Sequence, residues 1–372
     1  MDIVYIALST DSAFNSQVIA LLNEINNKNV FEKMYLLLGD PNESIKRPQQ
    51  LASNINFITF KKYPDYPLFS NLTVQSIKKS IKQSSINIEK TIFHTRSELA
   101  AYLLAKAFPN TSKILADIRG TVPEEVNLYY HNTNILLRKY KYYYLNKVRR
   151  NVCEQKSFSV VSDALKNYLV QKYSIKNKAK CYVNSCIADS NFKFNFDNRN
   201  EIRKELGLEN NDVLFVFSTG GGAAWQSEDV VVKALSNKGY KILMLGKKQY
   251  NQTNIISKFV NYSEVPKYLN AADIAVIWRN NDIVNKVESP IKFSEYVACG
   301  LPVIANDSVE LITDYIHQNN AGLIINNFAK LEIEDIVKLT KIDRTQIAQK
   351  AITIFGVEAI TNRYLEIYKQ LQ

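Results

Sequence analysis

"VESPIKFSEYVACGLPVIAND", residues 287–307, carries the punctuation of one helix and one strand. Ser289 suits an N-cap and Pro290 the first helical position, while Gly300 suits a left-handed terminus and Pro302 bars continuation. "LPVIA" then reads as a short buried strand. Between the boundaries, Ile291, Phe293, Tyr296, Val297 and Ala298 form a packing surface, yet Lys292 and Glu295 sit among them. A helix feeding a parallel sheet is apolar where it packs, so these charges need a reason. The start of the helix presents free N–H groups and a positive dipole end, a site ready for phosphate. A cation in the first turn opposes that dipole by roughly 0.3 to 1 kcal/mol, so Lys292 wants an anion. Either a bound anion supplies it, or Glu288, four residues earlier, does. Glu295 has two readings as well: an ion pair with Lys292, or a carboxylate accepting the vicinal hydroxyls of a ribose, as in dinucleotide sites.

Outward from this stretch the same rhythm repeats. "VLFVFS", "KILMLG", "DIAVIW", "LPVIA" and "AGLII" alternate with helical segments after residue 200, and "IVYIAL", "MYLLL", "TIFH", "KILAD" and "FSVVS" do so before it. Alternating strands and helices imply parallel sheets covered on both faces, here two doubly wound α/β domains. A chain of 372 residues also exceeds what one core fills. The break falls near "SCIADSNFKFNFDNRNEI", giving a first domain over 1–185 and a second over 186–355. "FGVEAITNRYLEIYKQLQ" closes the chain as a helix, with apolar residues at Val357, Ile360, Tyr364, Ile367 and Leu371.

The composition, 46% hydrophobic and 22% charged, is that of an ordinary globular protein, and the net charge of +11 favours an anionic partner. Cys153, Cys181, Cys186 and Cys299 have no metal-like spacing and read as reduced thiols of a cytoplasmic protein. "MDIVYIALST" has no basic region ahead of a long apolar core, so it does not read as a signal peptide. The apolar runs are far below the ~20 residues that cross a bilayer, so membrane contact is expected to be peripheral.

Open parallel sheets bind ligands beyond the carboxyl ends of their strands. That rule selects Gly220, Gly221 and Gly222 after "VLFVFST", Gly246, Lys247 and Lys248 after "KILML", and Arg279 after "DIAVIW". In the first half it selects Ser9 to Ser16, His94 and Arg96, and Asp117 and Arg119. Arg279, Lys247 and Lys292 at neighbouring strand ends point to an anion pocket. The three glycines allow close backbone approach or form a plain turn, and Glu228 and Asp229 in the following first turn would repel phosphate. "FHTRSE" places His94 before a capping box of Thr95 and Glu98, where a neutral imidazole meets either a sugar hydroxyl or loop backbone. Asp117 and Arg119 either pair across a turn or face a ligand. "LLRKYKYYYLNKVRRN", residues 136–151, interleaves bases with tyrosines; no nucleic-acid motif accompanies it, leaving an anionic membrane surface or a solvated helix face.

These residues, in this order, resemble the retaining GT-B glycosyltransferases of the large family 4, in the subset reading Pro-x-Lys-x-x-Glu-Tyr followed by Gly-x-Pro-Val-Ile. "NSQVIALLNEI" resembles that family's first helix, "HTRSELAAYLLAKA" and "LADIRGTVPEE" its acceptor cleft, and "FGVEAITNRYLEIYKQL" a terminal helix, 356–372, that crosses back onto the first domain. The resemblance implies two Rossmann-like domains facing across a cleft, and transfer of a sugar from a UDP- or GDP-linked donor to a glycan or lipid-linked acceptor. It implies no metal or other cofactor, and a role in cell-surface polysaccharide assembly at the inner face of the membrane. Glu295 would hold the donor ribose. Lys292 and the amides around Ser289, Pro290 and Ile291 would face diphosphate and sugar, with Arg279 and Lys247 neutralising the leaving group. Gly220 to Gly222 would approach the donor, His94 would join Arg279 and Lys292 in catalysis, and Ser16, Arg96, Asp117 and Arg119 would line the acceptor side. Eight positions before Glu295, where the wider family often carries a second glutamate, stands Val287, with Glu288 one place on. A sugar-nucleotide epimerase of the same architecture, or a relative that only binds, are the rival readings.

Overall fold

The computed structural model describes residues 1–11, 13–42, 44–176, 180–209, 211–219 and 226–372. The chain divides into two compact units, Met1–Ser185 with Ile360–Gln372, and Cys186–Ala359.

The first unit runs β1 (Asp2–Ala7), a π-helical turn (Asn15–Ile19) leading into α1 (Ala20–Asn27), β2 (Met34–Asp40), β3 (Asn56–Lys61), α2 (Pro67–Gln83), β4 (Thr91–Arg96), α3 (Glu98–Ala107) and β5 (Ile114–Ile118). It continues through α4 (Val122–Tyr129), α5 (Ile135–Gln155), β6 (Ser157–Val160), α6 (Asp163–Tyr173) and β7 (Cys181–Val183). The strands form one parallel sheet in the order β3-β2-β1-β4-β5-β6-β7. β2 is buried along its whole length, as a strand covered on both faces must be. Its helices are capped by the expected residue types: the Asn134 side chain accepts from Leu136 and Leu137 N–H ahead of α5, and Ser162 from Leu165 N–H ahead of α6. β3 and β7 lack a strong apolar run and escape a reading by periodicity.

The second unit runs α7 (Phe196–Glu205), β8 (Leu214–Ser218), α8 (Glu228–Asn237), β9 (Lys241–Leu245), β10 (Ile255–Lys258), α9 (Val265–Ala271), β11 (Ile274–Ile277), α10 (Ile283–Lys286) and α11 (Ile291–Ala298). Then follow β12 (Val303–Ala305), α12 (Glu310–Asn319), β13 (Gly322–Ile324), α13 (Ile333–Thr340), α14 (Arg344–Phe355) and α15 (Val357–Gln370), the last of which belongs to the first unit from Ile360 onward. Its parallel sheet has the order β10-β9-β8-β11-β12-β13.

In both sheets the order reverses beside the first strand of the unit, between β1 and β4 and between β8 and β11. These are topological switch points, where crossovers leave to opposite sides and the strand ends stay open to a ligand. α11 ends as its sequence requires. Gly300 has φ +72°, and a Cβ there would meet the Arg344 carbonyl oxygen at 2.4 Å, so glycine is needed for space as well as conformation. Arg344 in turn donates to the carbonyls of Asn270 (3.2 Å), Ala272 (2.9 Å) and Cys299 (3.0 Å), collecting the last acceptors of α9 and α11.

Candidate functional site

At the switch point of the second unit, the start of α11 differs from the sequence expectation by one residue. Pro290, not Ser289, is the N-cap, with extended ψ of 122° and no side-chain cap. Ser289 is buried and its hydroxyl accepts from the Cys186 N–H at 3.1 Å, so it braces the segment before α7. Pro290 has no N–H to offer; the amides at the helix start are those of Ile291 and Lys292.

Lys292 and Glu295 form the ion pair that their spacing allowed. Lys292 Nζ donates to Glu295 Oε2 at 2.9 Å, and Tyr262, from the segment after β10, donates its phenol to Oε1 at 3.1 Å. The Glu295 side chain is 1% exposed and that of Lys292 21%. The pair and a ribose are compatible, because a carboxylate offers about four lone-pair positions and these two donors occupy two. One position along the helix, the buried Tyr296 reaches under the end of β8 and its oxygen accepts from the Ser218 N–H at 2.7 Å. Burial pushes the Tyr296 phenol well above its ordinary range, so it is neutral at every physiological pH.

Arg279 leaves the end of β11 and is 6% exposed. Its backbone is clamped: the Asn306 amide group donates to the Arg279 carbonyl at 2.7 Å and accepts from the Arg279 N–H at 3.2 Å, and Ser308 Oγ donates to the same carbonyl at 3.2 Å. Among the described residues its guanidinium donates to the Trp278 carbonyl alone, at 3.4 Å, and Nε has no hydrogen-bond partner. Burial lowers its affinity for the proton, while the charge of Glu288 works the other way. The carboxylate acting on Arg279 is thus Glu288; Val287 is buried at 1% exposure and packs. A buried guanidinium with an unmet donor at a switch point has the chemistry to receive an anion.

The loops after β8 and β11 are joined by Ser227 Oγ, which donates to Asn280 Oδ1 at 2.7 Å. Gly246 after β9 needs its lack of a side chain, since a Cβ would meet Thr219 Oγ1 at 2.1 Å. Lys247 is exposed, stands over the Phe259 ring at 5.6 Å, and follows β9, one strand away from the switch point. Lys248 pairs with Asp229 at 2.7 Å. Gly220, Gly221 and Gly222 lie outside the described residues.

The first unit brings its selected residues together differently. His94 is wholly buried, not open at a ligand edge. The helix after it is capped by Ser97, whose hydroxyl accepts from the Ala100 N–H at 3.3 Å, while Thr95 is inside β4 and donates to the Leu115 carbonyl at 3.2 Å; there is no Thr95–Glu98 capping box. β4 therefore runs two residues past His94, and α15 covers the imidazole: Tyr368 Oη lies 2.6 Å from Nδ1, and the rings of Tyr5 and Tyr364 pack at 4.5 and 4.8 Å. Burial drives the His94 pKa down to about 4, against the nearby Asp117 charge. Asp117 accepts from Ser159 Oγ at 2.8 Å and Tyr364 Oη at 3.1 Å, and Arg119 approaches it at 3.5 Å. Burial acts to raise the Asp117 pKa, but the Arg119 and Arg96 charges and the Ser159 bond hold it below the usual carboxylate range.

Arg119 passes the connection on to Gln17 Oε1 at 3.0 Å, and Gln17 Nε2 lies 3.5 Å from Ser16 Oγ on the π-helical turn. Arg96 meets Asp11 at 3.4 Å. Sequence reasoning selected Ser16, Arg96, Asp117 and Arg119 by strand ends; it missed Tyr364 and Tyr368, which only the path of the last helix reveals. It likewise missed Tyr262 and Asn306, for which no local pattern exists.

The model of the glucosyltransferase 3-like, C-terminal domain family matches residues 224–365. Among curated proteins none matches the chain. Solved structures match along its whole length. The sucrose-phosphate synthase of Thermosynechococcus elongatus does so at 15% identity and TM-score 0.73, covering 100% of this chain and 99% of its own. A glycosyltransferase from Rickettsia africae gives 17% and 0.70, covering 100% and 98%. Anabaena HepE, in a complex with UDP and glucose, gives 14% and 0.70, covering 100% of both chains. The fold is GT-B. At these identities the likeness concerns the GT-B architecture, and what each residue does rests on the geometry above.

The burial of His94 sets a pH dependence. Its folded pKa of about 4 lies below the unfolded value near 6.5, so the unfolded chain binds the extra proton between them and stability falls as pH falls through that window. Urea unfolding is expected to show a loss of about 2 kcal/mol between pH 7 and pH 5 that His94→Gln removes.

Proposed function

We propose that this GT-B protein is a retaining glycosyltransferase that takes a sugar from a UDP- or GDP-linked donor held at the second unit's switch point. The observation that carries the reading is the set at α11: a buried Glu295 carboxylate with lone pairs to spare, a cation beside it in the first helical turn, and a buried Arg279 with an unmet donor. A ribose fits the first, a diphosphate the other two. The glucosyltransferase 3-like match over 224–365 and the UDP bound by HepE support the same ligand class.

In this reading the bond between the anomeric carbon and the β-phosphate oxygen breaks as Arg279, Lys292 and the amides of Ile291 and Lys292 take up the charge developing on the diphosphate. Fixed donors aimed at developing charge are the largest catalytic term in many enzymes. The acceptor hydroxyl attacks the same face, its proton passing to the departing phosphate oxygen. The donor charge is met by protein cations, with no metal assigned a role. Ser16, Arg96, Asp117 and Arg119 at the first unit's switch point take the acceptor. Buried under α15, His94 has a positioning part through Asp117 in place of proton transfer to substrate.

The acceptor we assign is a glycan or lipid-linked sugar, in cell-surface polysaccharide assembly in the cytoplasm at the inner face of the membrane. No described helix is long and apolar enough to cross a bilayer. The first turns of α5 instead expose Ile135 (54%), Leu136 (73%), Leu137 (51%), Tyr140 (49%) and Tyr143 (69%), interleaved with Arg138, Lys139 and Lys141. Apolar side chains flanked by cations suit an interface with anionic lipid.

A panel of UDP- and GDP-sugars is expected to yield one that raises the melting temperature, and with that donor Lys292→Ala and Arg279→Ala each to lower turnover about 100-fold or more. Unchanged turnover in both would refute the mechanism. The protein is also expected to co-sediment with anionic vesicles at low salt and Leu136→Glu/Leu137→Glu to stay in the supernatant; equal recovery of both proteins in the pellet would remove the membrane assignment.

A further inference from the structure

Tyr262 comes from the segment "FVNYSEV" after β10, 33 residues before the carboxylate it touches. It is 36% exposed, and its ring packs 5.4 Å from that of Phe192. Its hydroxyl donates to Glu295 Oε1, while Lys292 holds Oε2. The terminal torsion of a glutamate is broad, so a single donor on one oxygen leaves the carboxylate plane free to turn. One donor on each oxygen fixes the plane, and with it the directions of the remaining lone pairs. Two hydroxyls on adjacent carbons can satisfy those lone pairs together only if their directions are set in advance.

We propose that Tyr262 is a positioning residue that fixes the Glu295 carboxylate so that it recognises both ribose hydroxyls of the donor, and so sets the preference for ribonucleotides over deoxyribonucleotides. The inference rests on the reading of Glu295 as the ribose ligand. It goes further in assigning discrimination to a residue outside α11 that carries no charge. Tyr262→Phe removes the donor on Oε1 and leaves the Lys292 contact on Oε2 in place, so it takes away orientation alone. A hydrogen bond to a charged group is worth about tenfold or more in affinity when it is lost from a buried site.

The test is calorimetric titration of the full chain with UDP and GDP, each beside its 2′-deoxy and 3′-deoxy forms. The wild type is expected to bind one ribonucleotide about tenfold or more tightly than either deoxy form. Tyr262→Phe, with an unchanged melting temperature, is expected to shrink that preference to about twofold. In a Glu295→Gln background, adding Tyr262→Phe should change the preference no further, as expected of two groups acting as one unit. If Tyr262→Phe keeps the full preference, the positioning role is overturned while the donor reading stands. If the wild type binds nucleotide with no preference, the ribose role of Glu295 falls together with that of Tyr262. If neither nucleotide binds, the donor reading itself fails.

Discussion

Where the strand order of the second unit turns back between β8 and β11, the crossovers leave to opposite sides of the sheet, and among the described residues the strand ends stay open between them. The constraint is topological. Right-handed crossovers from two adjacent parallel strands leave in opposite directions, and the crevice between them must be lined by whatever loops and helix starts the sequence supplies. Here it supplies an arginine at the end of β11, a helix start at Ile291, and a tyrosine from α11 that satisfies the Ser218 N–H at the end of β8. Each of those features would be costly elsewhere. A guanidinium with an unmet donor, a lysine against a helix dipole and a carboxylate below the surface all run against the preference for water around charge.

The costs are met unequally, and the inequality is informative. Glu295 is matched on both oxygens, so its burial is balanced within the protein. Arg279 has a rigidly held backbone and a poorly served side chain. A buried charge left short of partners is poised for a ligand, while one that is paired can still accept through its remaining lone pairs. In the first unit Asp117 collects Ser159, Tyr364 and Arg119 and ties α15 to the π-helical turn that bears Ser16. His94, with α15 over it and the imidazole neutral, belongs to the packing that supports the strand ends.

Much of this was legible in the sequence because the rules behind it are local. Strand-length apolar runs alternating with amphipathic helices announced two parallel sheets, and strand ends announced Arg96, Asp117, Arg119, Arg279 and the stretch around Lys292. The i,i+3 spacing of Lys292 and Glu295 allowed the ion pair that is present. What stayed hidden depends on distance along the chain. Tyr262 reaches Glu295 from 33 residues away, and Tyr368 reaches His94 from 274. Cap positions erred by one or two residues, at Ser289 and at Thr95, because several consecutive residues there could each cap a helix and tertiary hydrogen bonds made the choice. The weak β3, β7 and β10 sit at or near sheet edges, where little apolar surface is buried and the pattern fades.

The proposed ligand of the crevice between β8 and β11 is a nucleoside diphosphate. Crystals of the protein soaked with UDP test it most directly. Electron density is expected for the diphosphate against Arg279 and the first turn of α11, with the ribose hydroxyls on Glu295. Well-occupied nucleotide density elsewhere, for instance in the cavity lined by Asn319, Asp335 and Lys350 beside β13, with the crevice empty, would contradict it.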